Sequence, residues 1–265
     1  MKISAIIVTY NKPDTLEVIL ASILNQKLIP DEVIIANDGS GQETADLISR
    51  FKKNFPVKLK HVWQEDKGFR AATIRNKAIN ESTGDCLIFS DGDLIFHPCF
   101  FYDFKKNLQE GVALIGSRVF LNNNYSEKIL TNKKNQGRIS FLSSGIEKNR
   151  LNSIRLPMFS KLFRQKDFSR KLRGGLLAVW KQDIIKINGW NEDFTGWGME
   201  DTELLARLFH SGIKFRKMKV AGITYHLWHP ILNRSKVKIN DAMLTDCINK
   251  RLDWCNNGLV KGEKF

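Results

Sequence analysis

Two carboxylates stand two positions apart in Ser90-Asp91-Gly92-Asp93, directly behind the apolar run Cys86-Leu87-Ile88-Phe89. Hard cations such as Mg²⁺ and Mn²⁺ take oxygen ligands. One or two carboxylates commonly hold them, with a substrate's phosphates completing the shell. An Asp-Gly-Asp behind a strand is also ordinary turn chemistry. A second acidic pair, Glu200-Asp201, opens a helix behind Gly196-Trp197-Gly198. Acidic residues there complement the helix dipole. An ionised Asp at that place is equally suited to take a proton from a hydroxyl within hydrogen-bond reach. Trp190 and Trp197 offer flat apolar faces of the kind sugar rings stack on. His226 and His229, three apart, fit a core, a surface or metal ligation through neutral imidazole. With a cation seat nearby, one of them joins Asp93. Arg70 and Arg75, behind Glu65-Asp66-Lys67-Gly68, suit either a solvated helix face or a diphosphate neighbour.

The elements that position these groups follow from hydrophobic periodicity. Residues 3–8, 32–36, 57–63 and 86–89 read as strands, and 14–26, 42–52 and 70–81 as helices, with Asp14 and Glu17 forming a capping-box-like start. Alternating strands and helices predict an α/β fold with a mostly parallel sheet, and ligands of such sheets lie beyond the carboxyl ends of the strands. Thr9-Tyr10-Asn11, Asp38-Gly39-Ser40 and Asp91-Gly92-Asp93 all fall at such ends. Beyond them, residues 122–171 are polar, basic and poorly periodic, predicting a mobile loop or small helical insertion. Order returns at 173–180. Residues 202–210 form an amphipathic helix, 219–225 read as a strand, and a helical tail follows from 235.

In 265 residues, 42% of them hydrophobic, one large domain or two small ones can bury a core. No apolar run reaches the roughly 18 residues that cross a bilayer. The first residues read as a strand rather than a signal peptide. Cys86, Cys99, Cys247 and Cys255 lack CxxC spacing, which predicts reduced thiols in a cytoplasmic protein. The net charge of +14 attracts polyanions. Between Lys128 and Arg173 thirteen Lys or Arg face only Glu147 and Asp167, so the charge is concentrated on one segment.

Val8-Thr9-Tyr10-Asn11, Asn37-Asp38-Gly39-Ser40, Lys67-Gly68-Phe69-Arg70 through Arg75-Asn76, and Asp91-Gly92-Asp93 resemble glycosyltransferase family 2 of the GT-A fold. Gly174-Gly175, Asn188-Gly189-Trp190 and Gly196-Trp197-Gly198-Met199-Glu200-Asp201 resemble the acceptor half of β-1,4-galactosyltransferases and chondroitin polymerases. The resemblance implies a single GT-A domain over 1–265. Its nucleotide-binding half is 1–93, its basic insertion 122–171, its acceptor half 172–234 and its tail 235–265.

It further implies that Asp38 reads the uracil of a UDP-sugar beside Thr9 and Tyr10. Gly68, Arg70 and Arg75 lie near the ribose and diphosphate, and Asp91 supports the ribose or the metal site. Asp93 and His226 bind Mn²⁺ or Mg²⁺, with His229 as the second choice of ligand. Gly174, Gly175, Trp197 and Glu200 meet the sugars, and Asp201 is the general base. Two positions depart from the family: Asn37 where Asp is common, and Ile223 where galactosyltransferases place a Met before their metal His.

The expected activity is inverting, metal-dependent transfer to a glycan or lipid-linked acceptor, with an anionic membrane surface as a further partner. Nucleic acid is not expected, because phosphate backbones disfavour acidic clusters at strand ends. A non-catalytic sugar-nucleotide or glycan-binding module keeps the same fold. A nucleotidyltransferase would need a triphosphate loop that the N-terminal region lacks.

Overall fold

The computed structural model describes residues 1–132, 139–165, 168–230 and 234–264. Parts of the basic stretch (133–138 and 166–167), of the acceptor half (231–233) and the last residue of the tail lie outside the described residues. The first half runs β1 (Ile3–Thr9), α1 (Pro13–Leu24), β2 (Glu32–Asn37), α2 (Gln42–Lys52), β3 (Lys58–Trp63), α3 (Ala71–Glu81) and β4 (Cys86–Ser90). Next come β5 (Leu94–Phe96), α4 (Phe100–Asn107), β6 (Val112–Ile115), β7 (Ser117–Leu121), α5 (Asn123–Thr131), β8 (Ile146–Lys148) and β9 (Arg164–Gln165). The chain continues with β10 (Leu176–Trp180), α6 (Lys181–Lys186), α7 (Glu200–His210), β11 (Lys214–Lys217), β12 (Ile223–His226) and α8 (Val237–Asn249).

One eight-stranded sheet has the order β3-β2-β1-β4-β10-β6-β11-β9, and a smaller one the order β5-β12-β7-β8. The first four strands are parallel, and β10 returns antiparallel against β4. Strands such as β2, buried along their whole length, need apolar residues on both faces, which is why they read as continuous apolar runs. Alternate residues divide between two cores. Ile7, Val33 and Ile88 pack under α1, α2 and α4, while Ile6, Ile34 and Phe89 pack under α3, α6 and α7. The mostly parallel sheet between two helical layers meets the sequence expectation.

Register places the strand ends together. Thr9 pairs with Asn37, and Ile7 pairs with Ser90. On the other side, Leu176 pairs with Ser90, so Gly175 accepts a hydrogen bond from the Asp91 N–H at 3.0 Å. The polar clusters therefore converge on one edge.

Four local expectations are corrected. The N-cap of α1 is Lys12 with no side-chain cap hydrogen bond, and Pro13 occupies the first turn, where its missing N–H costs nothing. The stretch 219–225 is not one strand. Val220 and Gly222 take positive φ values of 56° and 57°, so the chain turns there before β12 begins at Ile223. The basic middle is neither a loop throughout nor only helical: it holds α5, β8 and two 3-10 turns, Arg150–Ser153 and Pro157–Leu162. The tail is helical only to Asn249. Beyond it, Asn188 fastens an irregular segment by donating to the carbonyls of Cys255 and Val260 and accepting from the Val260 N–H. All four cysteines are free thiols. Among the described residues no helix is long and apolar enough to cross a membrane.

At the opposite edge of the sheet Glu32 joins β1, β2, β3 and the turn before β4. It accepts from the Ser4 hydroxyl at 2.6 Å and the Thr83 N–H at 2.5 Å, and pairs with Lys60 at 2.8 Å. Burial alone would raise its pKa, but the Lys60, Ser4 and Thr83 hydrogen bonds hold it down at about 2. A depressed carboxyl pKa stabilises the fold above the ordinary Glu range and loses that contribution as pH falls toward 2. Glu32→Gln should therefore flatten the decline of thermal stability between pH 4.5 and 2, where one such group contributes up to about 1.4 kcal/mol per pH unit. Parallel pH–Tm curves for the two proteins would contradict this.

Candidate active site

Strand ends β1, β2 and β4, strand β7, the Gly174-Gly175 segment and the start of α7 surround a cleft of about 380 Å³. Its lining includes Thr9, Tyr10, Asp38, Arg75, Asp91, Asp93, Gly175, Trp197, Glu200, Asp201, His226 and His229. Most of the residues singled out from the sequence thus share one cavity. Gly68, Arg70 and Gly174 are not in its lining. Gly68 and Arg70 shape the wall: the Gly68 N–H donates to Asp66, and the Arg70 N–H donates to Asp38 Oδ2 at 2.9 Å. The Arg70 guanidinium turns to the Glu65 carbonyl.

Asp38 is nearly buried between Gln64 and the Arg70 N–H, and desolvation pushes its pKa up despite those hydrogen bonds. Thr9, beside it, carries a buried hydroxyl without a hydrogen-bond partner. Tyr10 is half exposed and donates to Asp66 at 2.8 Å. Asn37, the first departure from the family pattern, is not part of the cleft lining. Its carbonyl oxygen accepts from the Ser40 N–H and its amide meets His61 at 3.0 Å, so it builds the turn that aims Asp38.

Asp91 lies between two arginines. Arg75 reaches Oδ1 and Arg118 reaches Oδ2, each at 3.0 Å. Desolvation pushes the Asp91 pKa up, and the two guanidiniums pull it back. A Cβ at Gly175 would lie 2.2 Å from Asp91 Oδ2, so only glycine leaves this carboxylate its place. Gly92 lets the turn press onto β1, since a Cβ there would lie 2.1 Å from the Val8 carbonyl. Arg75 also stacks over Trp190, its guanidinium carbon 4.3 Å from the ring centre. Trp190 is fully buried against Phe89. It braces Arg75 and presents no face to a sugar, which corrects the expectation for that residue; Trp197, by contrast, is exposed in the cleft with Arg234 over its ring.

Asp93 Oδ2 lies 3.4 Å from His226 Nε2 and 3.1 Å from His229 Nε2. One ligand atom from each of the three falls within 4.8 Å of the others. Asp93 Oδ1 is buried without a hydrogen-bond partner. Burial would raise the Asp93 pKa, but the two imidazoles hold it down at about 2. Desolvation lowers His226, whereas the hydrogen bond to Asp93 raises His229. An ionised carboxylate with an unused oxygen, beside an imidazole kept neutral, is a donor set that fits a divalent transition metal.

Across the cleft, Asp201 Oδ2 accepts the Gly174 N–H at 2.7 Å. The preceding Glu200 accepts the Gly198 N–H and lies 3.7 Å from Arg75. Desolvation, with Asp201 next to it, raises the Glu200 pKa to about 7. Behind them the buried Glu203–Arg207 pair ties α7 to the Ile187 and Gly189 carbonyls, which fixes the loop bearing Trp190.

Lys12, Phe69, Arg118 and Arg173 also line the cleft and carried no expectation from sequence. Arg118 is one of two outward residues on β7, whose burial alternates, and that alternation is the one local signal it offers.

A profile described as "Glycosyl transferase family 2" matches residues 4–170, and one described as "N-terminal domain of galactosyltransferase" matches 155–230. The chain belongs to glycosyl transferase family 2. It is 28% identical over 245 residues to the chondroitin synthase of Escherichia coli, covering 84% of this chain and 34% of that protein. Its structure resembles S. aureus TarS 1–349 in complex with UDP, with TM-score 0.67 and 15% identity over 95% of this chain and 65% of that one. It also resembles GalNAc-T7 with UDP, GalNAc and Mn²⁺, with TM-score 0.66 and 14% identity over 93% of this chain and 48% of that one. The fold is the GT-A fold. The chain spans about a third of the length of its E. coli relative.

The raised Glu200 pKa has a measurable sign. Folding retains the proton, so stability should fall as pH rises from about 4.5 to about 7 and level off above. Glu200→Gln should remove that slope, so that its stability relative to the parent is higher at pH 8 than at pH 4.5. An unchanged slope in denaturant titrations at the two pH values would contradict the assignment.

Proposed function

We propose that this protein is an inverting, metal-dependent glycosyltransferase that moves a sugar from a UDP-sugar to a hydroxyl of a glycan or lipid-linked acceptor. The observation that carries it is one cleft holding an ionisable base on one side and a carboxylate–imidazole triad on the other. The complexes of TarS with UDP and of GalNAc-T7 with UDP and Mn²⁺ support the donor class and the metal. Relatives that build polysaccharide support a role in cell-envelope, lipopolysaccharide or capsule synthesis, in the cytoplasm or at the inner face of the plasma membrane.

Asp38 accepts the uracil N–H, with the unpartnered Thr9 hydroxyl and Tyr10 beside the base. Asp91, with both oxygens already on arginines, orients the ribose end of the donor rather than the cation. Arg75 acts as its brace, and Arg118 adds positive charge where the diphosphate lies. Asp93 and His226 would hold the metal with His229 as a further donor, and the ion would neutralise the leaving diphosphate. Two imidazoles favour Mn²⁺ over Mg²⁺, which prefers oxygen.

Trp197 is the platform for the acceptor sugar. Asp201, oriented by the Gly174 N–H, takes the acceptor proton. The acceptor oxygen attacks the anomeric carbon from the face opposite the diphosphate, the C–O bond to UDP breaks, and the bonding pair leaves with UDP. Inversion gives a β-linkage. Glu200 holds a sugar hydroxyl beside the base.

Asp201→Asn keeps the shape and the Gly174 contact but cannot take the proton. It should bind UDP within about threefold of the parent and lose at least about 100-fold in transfer, the lower range for removal of a general base. Full transfer by that variant would exclude Asp201 as the base.

A further inference from the structure

Nineteen large apolar side chains stand exposed among the described residues, and eight of them fall between Phe141 and Phe163. Leu142 is 86% exposed, Met158 79% and Leu162 76%. An apolar concentration of this kind on a folded surface marks an interaction site. The backbone beneath it is not loose. Arg155 forms a two-pronged pair with Asp103 on α4, Asn152 donates to the Arg118 carbonyl, the Leu156 N–H donates to Val220, and the Ser160 hydroxyl donates to Asn107. Arg150 ties the loop ahead of it by donating to the carbonyls of Phe141 and Ser143. The inner side of the segment is thus polar and anchored. Its outer side turns Met158 and Leu162 mostly to solvent, where they contribute little to the stability of the fold, and leaves Phe159 half exposed beside them.

Charge identifies the occupant. Within the segment Arg155 is neutralised by Asp103 and Lys148 pairs with Glu147, which leaves Arg150 and the exposed Lys161 without an acidic partner in an ion pair among the described residues. Lys219 adds a further cation, with its ammonium 5.6 Å from the centre of the Phe163 ring. Exposed apolar side chains rimmed by lysine and arginine match the boundary of an anionic bilayer, where acyl chains take up the first and headgroups attract the second. A protein partner of equal fit would need a patch both apolar and acidic.

We propose that the 141–163 segment is a monotopic membrane-docking element that inserts Leu142, Met158 and Leu162 into an anionic lipid surface. The surface lies outside the residues assigned to transfer. Docking there also serves transfer. Asn149 and Asn152 bond the segment to the carbonyl of Arg118, whose side chain lines the cleft, so a lipid-borne acceptor would be presented near the catalytic edge.

The test is flotation of the full chain with vesicles of phosphatidylcholine, with and without 30% phosphatidylglycerol, at low and high salt. Met158→Asp/Leu162→Asp and Lys148→Glu/Lys161→Glu are compared with the parent, and UDP titration of each variant checks that the cleft is intact. The parent should bind the anionic vesicles at least tenfold more tightly than the neutral ones. The aspartate pair should lower binding at least tenfold at either salt concentration. The glutamate pair should lower it chiefly at low salt. Equal binding by the aspartate pair, no binding by the parent, or a self-association of the parent that the aspartate pair abolishes without vesicle binding would each overturn the proposal. Loss of UDP binding in the parent would count against the transferase reading alone.

Discussion

The Asp91 carboxylate, held between Arg75 and Arg118, is the interaction on which the site rests. It joins the end of β4 to α3 and to β7, and through Arg75 it reaches Glu200 on α7. Two guanidiniums on one carboxylate leave neither oxygen unpaired, which is the condition under which a desolvated ion pair is tolerated. Arg75 is almost wholly buried while Asp91 and Arg118 keep partial exposure, so loss of Asp91 would leave the Arg75 charge the most poorly compensated of the three. The backbone yields to it as well, since Gly175 is open on the side where Asp91 lies.

Around that centre the supports run outward in a connected series. Trp190 stacks under Arg75, and Asn76 on α3 accepts from the Trp190 N–H and donates to its carbonyl. Arg207 grips the carbonyls just ahead of Trp190 while Glu203 neutralises it. Asn188, in the same loop, fastens the tail. The tail and α7 therefore fix the position of the first carboxylate of the Asp-Gly-Asp, although both lie more than a hundred residues along the chain. The second carboxylate, Asp93, is left free to face the two histidines. The two neighbouring aspartates therefore differ: Asp91 has both oxygens on arginines, and Asp93 retains an unused one.

The first half of this fold was legible in the sequence because its strands are buried on both faces and end abruptly in polar residues. Residues 3–9, 32–37 and 86–90 announce themselves, and Asp38, Asp91 and Asp93 follow as their ends. The second half was less so. β6 and β7 are separated by Gly116 alone and belong to different sheets, so no turn signal marks the change. Arg118 went unseen because its partner is 27 residues away and nothing local distinguishes it from a solvated arginine. Trp190 was legible as an aromatic beside a glycine but not as a buried brace, since its burial depends on packing across α3 and β4. The strand expected over 219–225 failed because composition shows the apolar residues and not the positive φ of Val220.

The central claim is that this cleft binds a uridine diphosphate through a cation held by Asp93 and the histidines. Calorimetric titration of UDP into the purified protein, first with Mn²⁺ and then with EDTA, tests it most directly. Saturable binding with Mn²⁺ and at least a tenfold loss of affinity on chelation are expected. Binding of equal strength in EDTA would contradict the role of the triad, and no binding in either condition would contradict the donor site itself.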